Sequence, residues 1–235
     1  MAETFLVTGA NRGIGLAVVE VLLKEGGKVF ATCRRPGQAK ELSVLKKDNP
    51  QSLDIVEMDV DSDKSVKSAV GEVSGKAQQL DVLLNVAGIL PKPYDAKLED
   101  LDFQRFREGF ETNSLGPLRV SRAFLPLLRK SKNPRVVNVT SGNGSISGKA
   151  YEGFYAYDTS KAALNMISRT FAIEFKKEGI CCVALDPGWV RTDMGGSDAS
   201  LSPEESATAI VKTTKRLTID GTSQFIDRNG EKMNW

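Results

Sequence analysis

The chain has 235 residues, a formal net charge of +2 and no histidine. That length suits one α/β domain with a large core, and interspersed charges of both signs argue against a nucleic-acid or membrane-surface partner. Without histidine, Ser-His-Asp and Cys-His nucleophile activation are excluded in their usual forms. The commonest zinc ligand is missing too, so no metal site is expected, and acid–base work falls to Tyr, Lys, Asp, Glu or Cys.

An apolar run predicts a first strand over 4–8, and an amphipathic pattern predicts a helix over 13–25. Between them lies Thr8-Gly9-Ala10-Asn11-Arg12-Gly13-Ile14-Gly15. A strand, a glycine turn and a helix aim unpaired N–H groups and the positive end of a helix dipole at one point, which suits a phosphate. Glycines remove the Cβ atoms that would hold an anion away. The segment is therefore a candidate dinucleotide site, with Thr8, Gly9, Asn11, Arg12, Gly13, Ile14 and Gly15 as its cofactor-binding residues. Its G-x-x-x-G-x-G spacing differs from the commoner G-x-G-x-x-G.

A second strand over 28–33 ends at Cys33-Arg34-Arg35. A carboxylate there would hold ribose hydroxyls; Arg34 instead suits a 2′-phosphate, with Arg12 as a second charge. NADP(H) is expected ahead of NAD(H). A helix over 38–47 leads to a strand over 53–58 and to Asp59-Val60, and a helix follows over 62–78. Asp59 can accept from an adenine amino group or serve the start of that helix. The fourth strand, 81–86, ends in Asn85-Val86-Ala87-Gly88, small enough to admit a flat ring.

A long helical stretch lies within 98–130, and Asn113 sits inside it just before Ser114-Leu115-Gly116-Pro117. Asn is a poor helix-interior residue and Gly-Pro predicts a kink. Asn113 either binds a water or the Lys161 region, or satisfies the kink. A strand over 135–140 delivers Ser141 to a crevice edge, where a hydroxyl can donate to a carbonyl oxygen gaining charge. Ser145 is a weaker competitor. In a helix over 156–177, Tyr157 and Lys161 share one face. A phenol titrates near pH 10, and a nearby ammonium lowers that value, so the pair can pass a proton. A strand over 180–185, a helix over 203–217 and a strand over 224–227 complete the chain.

Strict alternation predicts a doubly wound, Rossmann-type, mostly parallel sheet of about seven strands, with helices on both faces and a ligand crevice at the strands' C-terminal ends. Turn-rich stretches over 88–97, 142–155 and 188–202 all follow strands and would form the substrate mouth. They carry Leu90, Tyr94, Tyr151, Phe154, Tyr155, Trp189 and Met194, which predicts an apolar pocket. Cys33, Cys181 and Cys182 suit reduced thiols in a cytoplasmic protein. Met1-Ala2-Glu3 lacks the features of a secretion signal, and no apolar run is long enough for a membrane span.

Taken in order, these segments resemble the short-chain dehydrogenase/reductase family over essentially the whole chain. The shared pattern is Thr8-Gly9-x-x-x-Gly13-x-Gly15, Asp59-Val60, Asn85-x-Ala87-Gly88, Asn113, Ser141, Tyr157-x-x-x-Lys161 and Pro187-Gly188-x-x-x-Thr192. The resemblance implies hydride transfer between a nicotinamide and a carbonyl or alcohol carbon. Tyr157 would be the acid–base residue, Ser141 would orient the carbonyl, and Lys161 would bind the nicotinamide ribose and lower the Tyr157 pKa. Asn113 would hold a relay water, and Thr192 would meet the carboxamide. Asn85 and Gly88 would line the adenosine side, and Ala87, Pro187, Gly188 and Val190 would also belong to the cofactor site. Val86 stands where the family commonly has a second Asn, and the interval from Ser141 to Tyr157 is longer than usual.

Arg34-Arg35-Pro36, the segment from Gly188 to Gly196 and the short C-terminal region are most similar to carbonyl-reductase-like members. An NADPH-dependent reductase of small aldehydes or ketones is the leading expectation. A reductase of carrier-bound 3-ketoacyl groups, using Arg105, Arg107, Arg119 and Arg122 as a basic face, and a non-catalytic NADPH-binding regulator are the alternatives. The sequence leaves monomer and homo-oligomer open.

Overall fold

A computed structural model describes residues 2–94 and 96–235; Met1, and Asp95 within the first expected substrate loop, lie outside the described residues. Seven strands form one sheet in the order β3-β2-β1-β4-β5-β6-β7, and every neighbouring pair is parallel. The strands are β1 (Thr4–Val7), β2 (Lys28–Cys33), β3 (Leu53–Glu57), β4 (Val82–Asn85), β5 (Arg135–Val139), β6 (Cys181–Asp186) and β7 (Gln224–Asp227). Both faces are covered, so strands such as β1, β4 and β5 are buried along their whole length.

The helices α1 (Gly13–Lys24), α2 (Lys40–Asp48) and α7 (Pro203–Arg216) pack on one face through Val18, Leu22, Leu42, Ile210 and Val211. The helices α3 (Asp63–Lys76), α5 (Gly116–Leu128) and α6 (Tyr155–Phe175) pack on the other through Val66, Val73, Phe124 and Phe171. Each such buried Val, Leu, Ile or Phe contributes about 1.5–3 kcal/mol. Strand order reverses between β1 and β4, which opens the crevice there, above the strands' C-terminal ends.

The long helical stretch is broken as the Asn and Gly-Pro predict. An α4 segment (Phe103–Phe110) passes into a π-helical turn over Glu111–Leu115, and α5 resumes at Gly116 with Pro117 in its first turn. A π turn widens the backbone ladder locally and is frequent at functional sites. The helix expected from residue 38 begins at Lys40, because Pro36 first forms a short 3-10 turn over Pro36–Gln38.

Candidate active site

The glycine turn after β1 packs directly on the end of β4. Gly9 has φ +64°, and a Cβ built there would lie 2.8 Å from Ala87 Cα. A Cβ on Gly15 would lie 2.3 Å from the Gly9 carbonyl oxygen. Both positions accept glycine alone without movement of backbone. Arg12 precedes α1 without a side-chain cap, and no acid occupies the first turn. The N–H groups of Gly13, Ile14 and Gly15 therefore have no helical partner and offer an anion site.

A cleft of about 450 Å³ runs from this turn across the sheet edge. Cys33, Arg34, Asp59 and Val60 line one end, with Asn11 and Arg12 beside the turn; Ala87 and Gly88 lie along the middle, and Tyr157, Lys161, Pro187 and Thr192 line the other end. Arg34 is exposed on the rim. Arg12 forms an exposed ion pair with Asp193 at 2.8 Å, spanning the glycine turn and the 188–202 loop. The donor set fits a dinucleotide: free helix N–H groups for a pyrophosphate, a guanidinium without a carboxylate at the end of β2, and a buried ammonium at the far end.

Four expected cofactor residues do other work. Thr8 is buried, and its Oγ1 accepts the N–H groups of Val86 and Ala87, both at 2.9 Å. It fastens β1 to the frayed end of β4, where those donors would otherwise lack partners. Asn85 is buried between the sheet and α5, where Nδ2 donates to Asn138 Oδ1 at 2.8 Å and to Ser121 Oγ at 3.2 Å. Alternation along the strand directs it there, out of the cleft. Val190 is buried and forms a bridge with Leu201. Gly188 lies behind the lining Pro187, in left-handed backbone at φ +80°.

At the catalytic end, Tyr157 and Lys161 lie one turn apart near the start of α6. The Ser141 hydroxyl neighbours the Tyr157 phenol and favours its ionised form, and Ser141 Oγ accepts the Asn143 N–H at 3.2 Å. Lys161 Nζ sits 5.7 Å from the Tyr157 ring centroid and donates to the Val139 carbonyl at 3.0 Å. Burial pushes the phenol up to about 12; the Ser141 hydroxyl opposes this, and Asp186 and Asp158 add to it. Burial pulls Lys161 down to about 8, against the field of Asp186. The expected depression of the phenol by the ammonium is thus reversed. Desolvation disfavours the phenolate, and the ammonium is directed at a strand carbonyl. At neutral pH the site holds a protonated phenol beside a largely protonated amine.

Asn113 is fully buried in the π turn. Its Nδ2 donates to the Ile89 carbonyl at 2.9 Å and to Ser160 Oγ at 3.0 Å, and its Oδ1 accepts the Ile89 N–H at 2.8 Å. The amide anchors the strand-end loop after β4 against α6, one residue from Lys161. A Cβ on Gly88 would meet both Asn113 Oδ1, at 3.2 Å, and Lys161 Nζ, at 3.6 Å. Asn113 and Lys161 thus converge on one spot, though they are not bonded to each other. Ser145 is no competitor for Ser141: its hydroxyl donates to the Asn234 carbonyl at 2.7 Å and accepts the Gly148 N–H.

The loops over 88–97 and 142–155 meet beside Tyr157. The Phe154 N–H donates to the Tyr94 carbonyl at 2.7 Å, their rings stack at 5.1 Å, and Tyr151 meets Phe154 edge-on. Two acids went unremarked in the sequence. Asp158 accepts from Asn143 at 2.9 Å and Lys149 at 2.5 Å, and so ties the 142–155 loop to α6. Asp186 closes β6 and accepts the Gly142 N–H at 2.8 Å. The available signal for Asp186 was a carboxylate ending an otherwise apolar strand. Asp158 gave none, because an acid in a first helical turn is ordinary.

The comparisons agree with this geometry. A model of the family described as short chain dehydrogenase matches residues 3–201. The carbonyl reductase Sniffer of D. melanogaster superposes with a TM-score of 0.95 at 35% identity, covering 100% of both chains. An NADPH-bound carbonyl reductase from chicken fatty liver superposes with a TM-score of 0.93 at 36% identity, over 100% of this chain and 99% of that one. The 1-hydroxy-2-glutathionyl-2-methyl-3-butene dehydrogenase of Rhodococcus sp. (strain AD45) is 31% identical over 99% of this chain and 100% of its own. The chain belongs to the short-chain dehydrogenase family and is a short-chain oxidoreductase acting on carbonyl or alcohol groups.

Proposed function

We propose that the protein is an NADPH-dependent carbonyl reductase of small-molecule aldehydes or ketones in the cytoplasm. The observation that carries this reading is the Tyr157 phenol, beside Ser141 and one helical turn from the buried Lys161, at the end of a cleft whose other wall is an uncapped helix N-terminus. Bound NADPH would supply a hydride from its nicotinamide ring. The residues handle the proton and the positioning. Ser141 orients the substrate oxygen, and Tyr157 donates its phenolic proton to that oxygen as charge develops. A phenol held neutral at pH 7 is set up for donation, the direction reduction requires.

Lys161 would hold the nicotinamide ribose, and its positive charge would stabilise the phenolate left behind. Asn113 would keep the loop after β4 and a relay water in register with Lys161. Thr192, whose hydroxyl accepts the Gly195 N–H at 3.1 Å, would face the carboxamide. Arg34, with Arg12 in support, favours a 2′-phosphate. NADPH in the chicken carbonyl reductase supports the same preference.

The carrier-protein alternative keeps little of its basic face: Arg105 pairs with Glu108, Arg119 with Asp63 and Glu111, and Arg122 with Asp63, so Arg107 alone of the four has no ion-pair partner among the described residues. Intact Tyr157 and Lys161 weigh against a purely regulatory binder. The test is NADPH consumption across a panel of aldehydes and ketones. Turnover that vanishes in Tyr157→Phe is expected; no turnover in the natural protein, or full turnover in Tyr157→Phe, overturns the reading.

A further inference from the structure

The buried strand β6, Cys181–Asp186, is apolar until its last residue. A carboxylate closing such a strand is costly unless hydrogen bonds and charge compensate it. Here they do. Asp186 Oδ1 accepts the Gly142 N–H at 2.8 Å, and the nearby Gly188 N–H also favours the charged form. Gly142 directly follows Ser141, and Gly188 directly follows Pro187. One carboxylate, on the residue directly before Pro187, therefore ties the backbone beside the substrate-orienting hydroxyl to the strand end that carries the cleft wall. The Arg228 guanidinium packs behind it: a Cβ on Gly188 would meet Arg228 Nη1 at 3.1 Å.

We propose that Asp186 is a positioning residue, clamping the Ser141 loop to the Pro187-Gly188 loop and presenting a fixed negative charge to Tyr157 and Lys161. The proposal rests on the reading of Tyr157 as proton donor. Among the described residues, Tyr157 and Lys161 face Asp186 from α6, and Asp227 and Arg228 face it from β7 and the residue after it. Arg228 compensates the carboxylate while Asp227 opposes it. The charge favours protonation of both α6 groups. It keeps the phenol an acid and the amine a cation, the two states that reduction uses.

Two substitutions separate clamp from charge. Asp186→Asn removes the charge with little change of shape. Asp186→Glu keeps the charge on a longer arm that no longer matches the position of the Gly142 N–H. The Lys161 amine titrates near pH 8, so it can be followed by NMR of isotope-labelled lysine in the free protein, its signal identified by loss in Lys161→Met. In Asp186→Asn the Lys161 midpoint is expected to fall by about half to one unit. In Asp186→Glu it is expected to stay, while kcat for carbonyl reduction falls about tenfold with KM for NADPH within about threefold. An unmoved midpoint in folded Asp186→Asn overturns the electrostatic role, and an unmoved kcat in Asp186→Glu overturns the clamp. The titration needs no turnover, so it decides the electrostatic role even if no carbonyl compound proves to be a substrate. Should Asp186→Asn fail to fold, judged by circular dichroism, the same midpoint is read in Asp186→Ser, where a fall supports the electrostatic role and an unmoved value overturns it.

Discussion

The two ends of the cleft are built from different materials. At the dinucleotide end, backbone does the work: glycines bring the turn onto β4, and the uncapped start of α1 offers its N–H groups. The charged side chains there, Arg12 and Arg34, are exposed. At the catalytic end the side chains do the work, and they are buried or half-buried: Lys161, Asn113 and Asp158 are buried, and Tyr157 and Asp186 are half-buried. Exposed charges interact through a high dielectric, whereas buried ones reset each other's protonation. Substitutions at the catalytic end should therefore act on rate and pH dependence. Substitutions at the other end should act on cofactor affinity and choice.

The sharpest way to break that division is Tyr157→Phe. General acid catalysis is worth about 10²–10⁴-fold, and a loss of that size in kcat is expected. Quenching of NADPH fluorescence should report a dissociation constant within about threefold of the natural protein, because the helix N-terminus and Lys161 that would hold the cofactor are untouched. A large loss of NADPH affinity would erase the distinction between the two ends.

Lys161 offers a test by stability alone. Its folded-state pKa is depressed to about 8 from 10.5. Between those values the unfolded chain binds the proton and the native one does not, so stability rises with pH across that window. The contribution is fully present above 10.5 and is lost as pH falls through 8. Thermal unfolding of the natural protein and of Lys161→Met, measured from pH 7 to 10, should diverge by about 2–3 kcal/mol in favour of the natural protein as pH rises. Parallel curves would mean that the amine is solvated, contrary to its burial.

Arg34 tests the dinucleotide end. A charge-assisted bond to a 2′-phosphate is worth about 1.5–3 kcal/mol. Arg34→Ala should raise KM for NADPH by about 10–100-fold and leave KM for NADH within about twofold. Equal losses with both cofactors would remove Arg34 from phosphate recognition.

The contrast also explains what could be seen in the sequence. The seven strands, the two-faced sheet and the phosphate turn follow from local rules: apolar runs, glycine spacing and helix periodicity. Tyr157 and Lys161 were legible because one helix carries both at a fixed spacing, and Asn113 because it disturbs the periodicity of a long helix. What stayed hidden depends on long-range contact. Thr8 and Asn85 form part of a cofactor motif in sequence, yet each is spent on a neighbouring strand, across 78 and 53 residues. Asp186 reaches back 44 residues to Gly142, and no local pattern reveals that partner. The direction of the Tyr157 shift was missed for the same reason. Spacing places an ammonium near a phenol, but only the packed fold shows that desolvation outweighs it.

Arg12 marks the boundary between the two regimes, and its expected effect is the smallest. It sits in the phosphate turn, yet its guanidinium holds Asp193 of the 188–202 loop at 2.8 Å, with both side chains more than two-thirds exposed. Such pairs contribute about 0–1 kcal/mol, so Arg12 can exchange Asp193 for a phosphate at little cost. Arg12→Ala should raise KM for NADPH by about two- to fivefold, well below the effect of Arg34→Ala. Asp193→Asn should lower it slightly, because the guanidinium is then released. The two substitutions combined should match Arg12→Ala alone, since Asp193 would act on the cofactor only through Arg12. Additive losses in the double variant would instead give Asp193 its own contact with the cofactor and move that loop from the periphery of the dinucleotide end into its working surface.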